Sequence, residues 1–184
     1  MSNAFIPRAQ IHAWSEDIGN NTDAHAAALP RLLRSQRRLG RFIEENQENL
    51  DPNTAGVSSY LVGVVARMFE LAGGQLKSAT WAQVREAEAK VMTAAAELLP
   101  YDASFADRFR AVSWRSQPHI LDEAIYSLFE RKLEEGEEEI NVPESLKVFL
   151  LLWVATEVLD LNWKPGKGFE GEAEYAFTAI EAEA

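Results

Sequence analysis

The chain has no cysteine, which excludes a disulfide framework, a thiolate metal site and a cysteine nucleophile. Histidine is scarce, with only His12, His25 and His119. His-Glu-x-x-His does not occur, nor does the Glu-x-x-His that a ferritin-like di-metal bundle repeats on two helices. The phosphate-binding order Gly-x-x-x-x-Gly-Lys-Ser/Thr and the nucleophile elbow Gly-x-Ser-x-Gly are also missing. Long hydrophobic runs are absent too. The longest, Val148–Ala155, would span about 12 Å as a helix, against a hydrocarbon core of about 30 Å. The first residues lack a cationic start followed by an apolar stretch, so no secretory signal is expected and the expected setting is cytoplasmic, with no membrane partner.

What is present describes a soluble globular chain. Its 184 residues are 47% hydrophobic and 26% charged, and 29 acids against 18 bases give a net charge of −11. That field repels phosphate, so nucleic acid is an unfavourable partner. The charge is unevenly spread. Residues 1–92 carry 10 bases and 10 acids, whereas residues 93–184 carry 8 bases and 19 acids, so the whole deficit lies in the second half.

The 27 alanines and 22 glutamates favour helix, and no sustained two-residue alternation interrupts 30–161. An all-α, single-domain bundle of about six helices is expected over 30–162. An irregular N-terminal segment, 1–29, precedes it, with the turn-forming Gly19-Asn20-Asn21-Thr22. A short C-terminal tail, 163–184, follows. The helices are expected near 30–49, 54–73 (capped by Asn53 or Thr54), 80–100, a short one carrying Phe105 and Phe109, one from Pro118 toward Gly136, and one from Pro143 to Leu161. The last is apolar nearly all round, which fits a central helix or a subunit interface. In the tail, Glu172, Glu174, Ala176 and Thr178 alternate with Ala173, Tyr175, Phe177 and Ala179. That pattern suits either an edge strand or a frayed helix docking two aromatics.

Four constellations carry chemistry. Arg31, Arg34, Arg38 and Arg41, flanked by Arg37, step by 3, 4 and 3 along one helical face. Guanidinium suits bidentate contact with carboxylate or phosphate, so the face could read a small anionic ligand or an acidic partner; it could equally pair with the chain's own acids. The tract Glu134-Glu135-Gly136-Glu137-Glu138-Glu139 could dock a basic partner or remain a solvated helix end. His119, Asp122 and Glu123 fall at offsets of 3 and 4, where an imidazole and two carboxylates could bind a metal or perform acid–base work, with Glu157 as a further candidate. Arg67 and Glu157, each interrupting an apolar helix, suggest a buried ion pair.

No cofactor is implied by any of these patterns. The expectation that follows is a self-associating, non-catalytic protein-interaction or regulatory module, resting on the absence of a catalytic motif, the two opposed charge features, which can satisfy each other in one chain or between two, and the apolar helix from Pro143 to Leu161. The alternatives are a metal-binding or metal-dependent enzyme built on His119, Asp122 and Glu123, and a bundle reading a small anion through the arginines.

Overall fold

The computed structural model describes residues 2–180, and helices dominate it. In chain order they are α1 (Arg8–Asn20), α2 (Thr22–His25), α3 (Ala28–Ser35), α4 (Arg37–Gln47), α5 (Pro52–Ala72), α6 (Trp81–Leu98), α7 (Phe105–Arg110), α8 (Pro118–Ile125) and α9 (Val142–Asn162). One turn of π-helix, Tyr126–Glu130, continues α8. Two short strands, β1 (Gln75–Leu76) and β2 (Trp163–Lys164), pair antiparallel with Gln75 opposite Lys164. The chain is therefore an all-α single domain with a minimal sheet.

α9 occupies the centre. Its Val148, Phe149, Leu152, Trp153, Ala155 and Val158 are fully buried, and α5, α6 and α8 pack around it. Side chains of this size contribute about 1.5–3 kcal/mol each when removed from water. Aromatic rings stitch the central helix to α7, with Phe109 edge-on to both Phe149 and Trp153 at 4.9 Å between centroids. α5 is, among the described residues, the one helix long and apolar enough by length and composition to cross a bilayer. Its Val62, Val65, Met68 and Phe69 are buried in the same core.

The helix ends follow local chemistry. Asp51 caps α5, its carboxylate accepting from the Asn53 and Thr54 amides at 3.0 and 3.2 Å, with Pro52 in the first turn. The cap is thus Asp51 rather than Asn53 or Thr54. Asn141 caps α9 by accepting from the Glu144 amide at 2.9 Å. Thr80 and Gln83 complete a reciprocal capping box on α6.

Three helix boundaries differ from those expected. The N-terminal stretch read as irregular is helical over Arg8–Asn20, where Ile11, Trp14 and Ile18 recur at helical spacing and pack on the core. The helix expected at 30–49 is two helices. Gln36 breaks it by turning its buried amide to the segment after β1: Nε2 donates to the Lys77 carbonyl at 2.8 Å, and Oε1 accepts from the Ala79 amide at 2.9 Å. The helix from Pro118 ends by Glu130, short of Gly136. Along the tail, the regular pairing is Trp163–Lys164, while 172–179 is neither strand nor helix. Gly74, at φ 90°, is required beside that pairing, because a Cβ there would meet the Lys164 carbonyl oxygen.

Candidate functional site

α8 is the most polar buried element of the molecule. All eight of its residues, Pro118–Ile125, are buried, including His119, Asp122 and Glu123. Pro118 fixes its first turn, and Gln117, just before it, sits in the left-handed region at φ 40°. The buried Gln117 amide holds that conformation: Oε1 accepts from the Ile6 amide at 2.9 Å, while Nε2 donates to the Ala4 carbonyl at 3.0 Å and to Asp160 at 2.9 Å. One side chain thereby ties the N-terminal segment and α9 to the start of α8.

The three residues expected to form a metal or acid–base site lie together on α8 but serve different neighbours. Glu123 faces α1, where it forms a buried ion pair with Arg8 and lies 3.2 Å from His12 Nδ1. Asp122 lies about 100° further round the helix. It faces Arg110 Nε at 3.4 Å and Arg115 Nη1 at 3.9 Å, and accepts a hydrogen bond from the Tyr175 hydroxyl at 2.7 Å. His119 Nε2 lies 2.8 Å from a Glu172 carboxylate oxygen. Among the described residues, no three His, Asp or Glu side chains come together as a metal-holding group. Guanidiniums supply the positive charge that a cation would supply.

Sequence spacing missed half of this arrangement. Arg115 is buried: it donates from Nε to the Val112 carbonyl at 3.0 Å and from Nη2 to the Arg110 carbonyl at 2.9 Å. Its guanidinium lies 4.5 Å from the Tyr175 ring centre, and that of Arg110 lies 3.6 Å from the Phe177 ring centre. The residues involved are up to 67 positions apart, so no local pattern announces them. Burial and the Asp122 hydrogen bond push the Tyr175 hydroxyl up to about 12.

The expected Arg67–Glu157 pair does not form. Arg67 points to α2 and its own helix, with Nε 3.2 Å from His25 Nδ1 and Nη1 2.8 Å from Glu70. Glu157 instead takes the Ser116 amide at 2.9 Å, the Ser116 hydroxyl at 2.7 Å and the Trp153 indole N–H at 3.1 Å. Burial raises its carboxyl above the ordinary range despite those donors, and burial does the same to Asp160.

The arginine face is divided by the break at Gln36. Arg31 pairs with Glu70 at 2.9 Å, Arg41 with Glu45 at 2.8 Å, and Arg38 donates to the Ala79 carbonyl at 3.3 Å. Arg34 and Arg37 are exposed and make no ion pair among the described residues. Burial opposes ionisation of Glu70, but Arg31 and Arg67 together outweigh it and lower its carboxyl from the ordinary value.

The glutamate tract borders two clefts. One, of about 670 Å³, is lined by Val57, Tyr101, Leu128, Leu133 and Val142 together with Glu137, Glu138 and Glu139. A second, of about 570 Å³, adjoins it through Asn53, Ser127, Arg131 and Glu137. Arg131 and Glu137 are joined bidentately at 2.8 and 2.9 Å between the two clefts, which holds the Glu137 carboxyl down at about 2. The rim, 130–144, carries seven acids and two bases. Arg31 lies at the Glu70 end of α5 and the clefts at its Asn53 end, 17 residues or about 25 Å away.

No protein-family model matches the chain, and it matches no curated protein and no solved structure.

Proposed function

We propose that this is a non-catalytic, cytoplasmic interaction module that self-associates, the arginine face of α3 and α4 in one copy meeting the acid-rimmed cleft of another. One observation carries the reading: the two opposed charge features do not satisfy each other within the chain. Arg34 and Arg37 are exposed at one end, Glu138 and Glu139 are exposed at the other, and the ion pairs that do form nearby, Arg31–Glu70, Arg41–Glu45 and Arg131–Glu137, do not join one pole to the other. Leu133 and Val142, 49% and 41% exposed beside the glutamates, add apolar surface that such a contact would cover.

Each exposed ion pair contributes about 0.2–1 kcal/mol, so the contact is weak and sensitive to salt. Sedimentation velocity across protein concentration tests it. Association is expected at about 50 mM salt and is expected to fade by about 500 mM, where the Debye length is well below 10 Å. A monomer at every concentration in low salt would refute the reading. An assembly indifferent to salt would assign self-association to another, apolar surface.

A further inference from the structure

The segment from Phe169 to Ile180 behaves as a ligand bound by its own protein. It has no regular structure; its backbone makes a turn from the Phe169 amide to the Gly166 carbonyl at 3.1 Å and pairs with Phe5 through two Phe5–Glu172 hydrogen bonds of 2.8 Å. Most of its residues are exposed, and its purchase on the domain comes from side chains. Glu172 meets His119, Tyr175 reaches Asp122 and covers the Arg115 guanidinium, and Phe177 lies on Arg110. An acid, then a tyrosine three residues on, then an aromatic two further, each meeting a different side chain of the domain outside any regular structure, is a pattern that peptide recognition uses.

The receiving surface is a built site and offers more than the segment uses. His119 and Arg115 are 1% and 5% exposed, yet His119 Nδ1 and Arg115 Nη1 are buried without a hydrogen-bond partner. Buried polar atoms are ordinarily paired, so the Arg115 Nη1 donor suits a ligand bearing a further acceptor, while His119 Nδ1 is the acceptor nitrogen of a ring whose Nε2–H donates to Glu172. The tether, Lys164-Pro165-Gly166-Lys167-Gly168, contains two glycines and leaves the folded core at β2.

We infer that the site formed by Arg110, Arg115, His119 and Asp122 is a peptide-binding site, and that 169–180 is its displaceable internal occupant. The partner it takes in trans is an extended peptide segment with an acidic residue followed by tyrosine and a second aromatic. A short tether holds the internal segment at a millimolar local concentration, so the site is closed to weak competitors. This inference stands apart from the charge-face reading, which uses neither α8 nor the tail.

The test uses the full-length chain and a fluorescein-labelled peptide of residues 169–180, followed by anisotropy. In one variant the tether gains 20 Gly/Ser residues after Gly168, leaving every contact residue intact. Lengthening it from 5 to 25 residues lowers local concentration about elevenfold by the three-halves power, so peptide affinity is expected to rise up to about tenfold over wild type. A second variant, Tyr175→Ala with Phe177→Ala, weakens the internal occupant and is expected to bind the peptide at least tenfold more tightly than wild type. Adding Arg115→Met to either is expected to abolish binding, with circular dichroism confirming that the helices persist. Absence of peptide binding to both variants, affinity equal to wild type, or binding indifferent to Arg115→Met would each overturn the inference.

Discussion

Replacing Glu123 by leucine strands a buried charge, and its cost can be worked from the neighbours. The side chains of Arg8 and Glu123 are 5% and 6% exposed, and Arg8 Nε has no hydrogen-bond partner. Glu123 therefore supplies the compensation for the Arg8 guanidinium, aided by its contact with His12 at 3.2 Å. Breaking such a pair from one side typically costs about 3–5 kcal/mol, while replacing both partners by apolar groups of similar volume is close to neutral. Glu123→Leu is thus expected to lose about 4 kcal/mol, and Arg8→Met with Glu123→Leu to return within about 1 kcal/mol of wild type. Urea denaturation checks this: with a slope of about 2–3 kcal/mol per molar, the single variant's midpoint falls by about 1.5 M. A single variant within 1 kcal/mol of wild type would refute the reasoning, as would a double variant no more stable than the single one. Either result would also reopen a chemical role for Glu123.

The other predictions concern pH and backbone. Glu157 binds its proton more tightly folded than unfolded, so its ionisation costs stability as pH rises from the ordinary carboxylate range through the raised value. Glu157→Gln keeps acceptors for Ser116 and Trp153 and removes that cost, so thermal melts should show it matching wild type near pH 4 and exceeding it at neutral pH. Glu157→Ala leaves the Ser116 amide and the Trp153 indole without this acceptor and is expected to lose about 2–3 kcal/mol near pH 4, a loss that narrows toward neutral pH where wild type bears the cost of ionising Glu157. Glu70 runs the other way: its lowered carboxyl contributes stability above the ordinary carboxylate range that is lost as pH falls through its folded value. Glu70→Gln should therefore flatten the acid limb of the stability profile. Gly74→Ala is expected to destabilise by more than 1 kcal/mol, read as a lower melting temperature, because φ 90° and the Lys164 carbonyl both exclude a Cβ.

Elements whose signals are local were legible in the sequence. α9 declares itself by unbroken apolarity behind an Asn-x-Pro start, and α6 by its capping box. The helix over Arg8–Asn20 was equally legible in Ile11, Trp14 and Ile18, but the Gly19-Asn20-Asn21-Thr22 cluster that ends it obscured the pattern. Gln36 was not legible, since its helix-breaking partners, Lys77 and Ala79, lie some 40 residues away. The α8 site shows the same division. Helical spacing grouped His119, Asp122 and Glu123 correctly on one element. Their chemistry was decided by Arg8, Arg110, Arg115, Glu172 and Tyr175, which only the fold brings to them. Charge asymmetry was visible from composition, but the failure of its two poles to meet within one chain needed the distance along α5 that separates them.

Charge-swapped chains mixed in one sedimentation experiment test the central claim most directly. Arg34→Glu with Arg37→Glu removes the cationic face of one chain, and Glu138→Arg with Glu139→Arg reverses the cleft rim of another. None of the four side chains makes an ion pair among the described residues, so both folds should persist. Each variant alone juxtaposes like charges and is predicted to sediment as a monomer at low salt. The equimolar mixture, in which the swapped face meets the swapped rim, is predicted to recover association. A mixture as monomeric as its parts, with wild type associating under the same conditions, would contradict the pairing of these two faces.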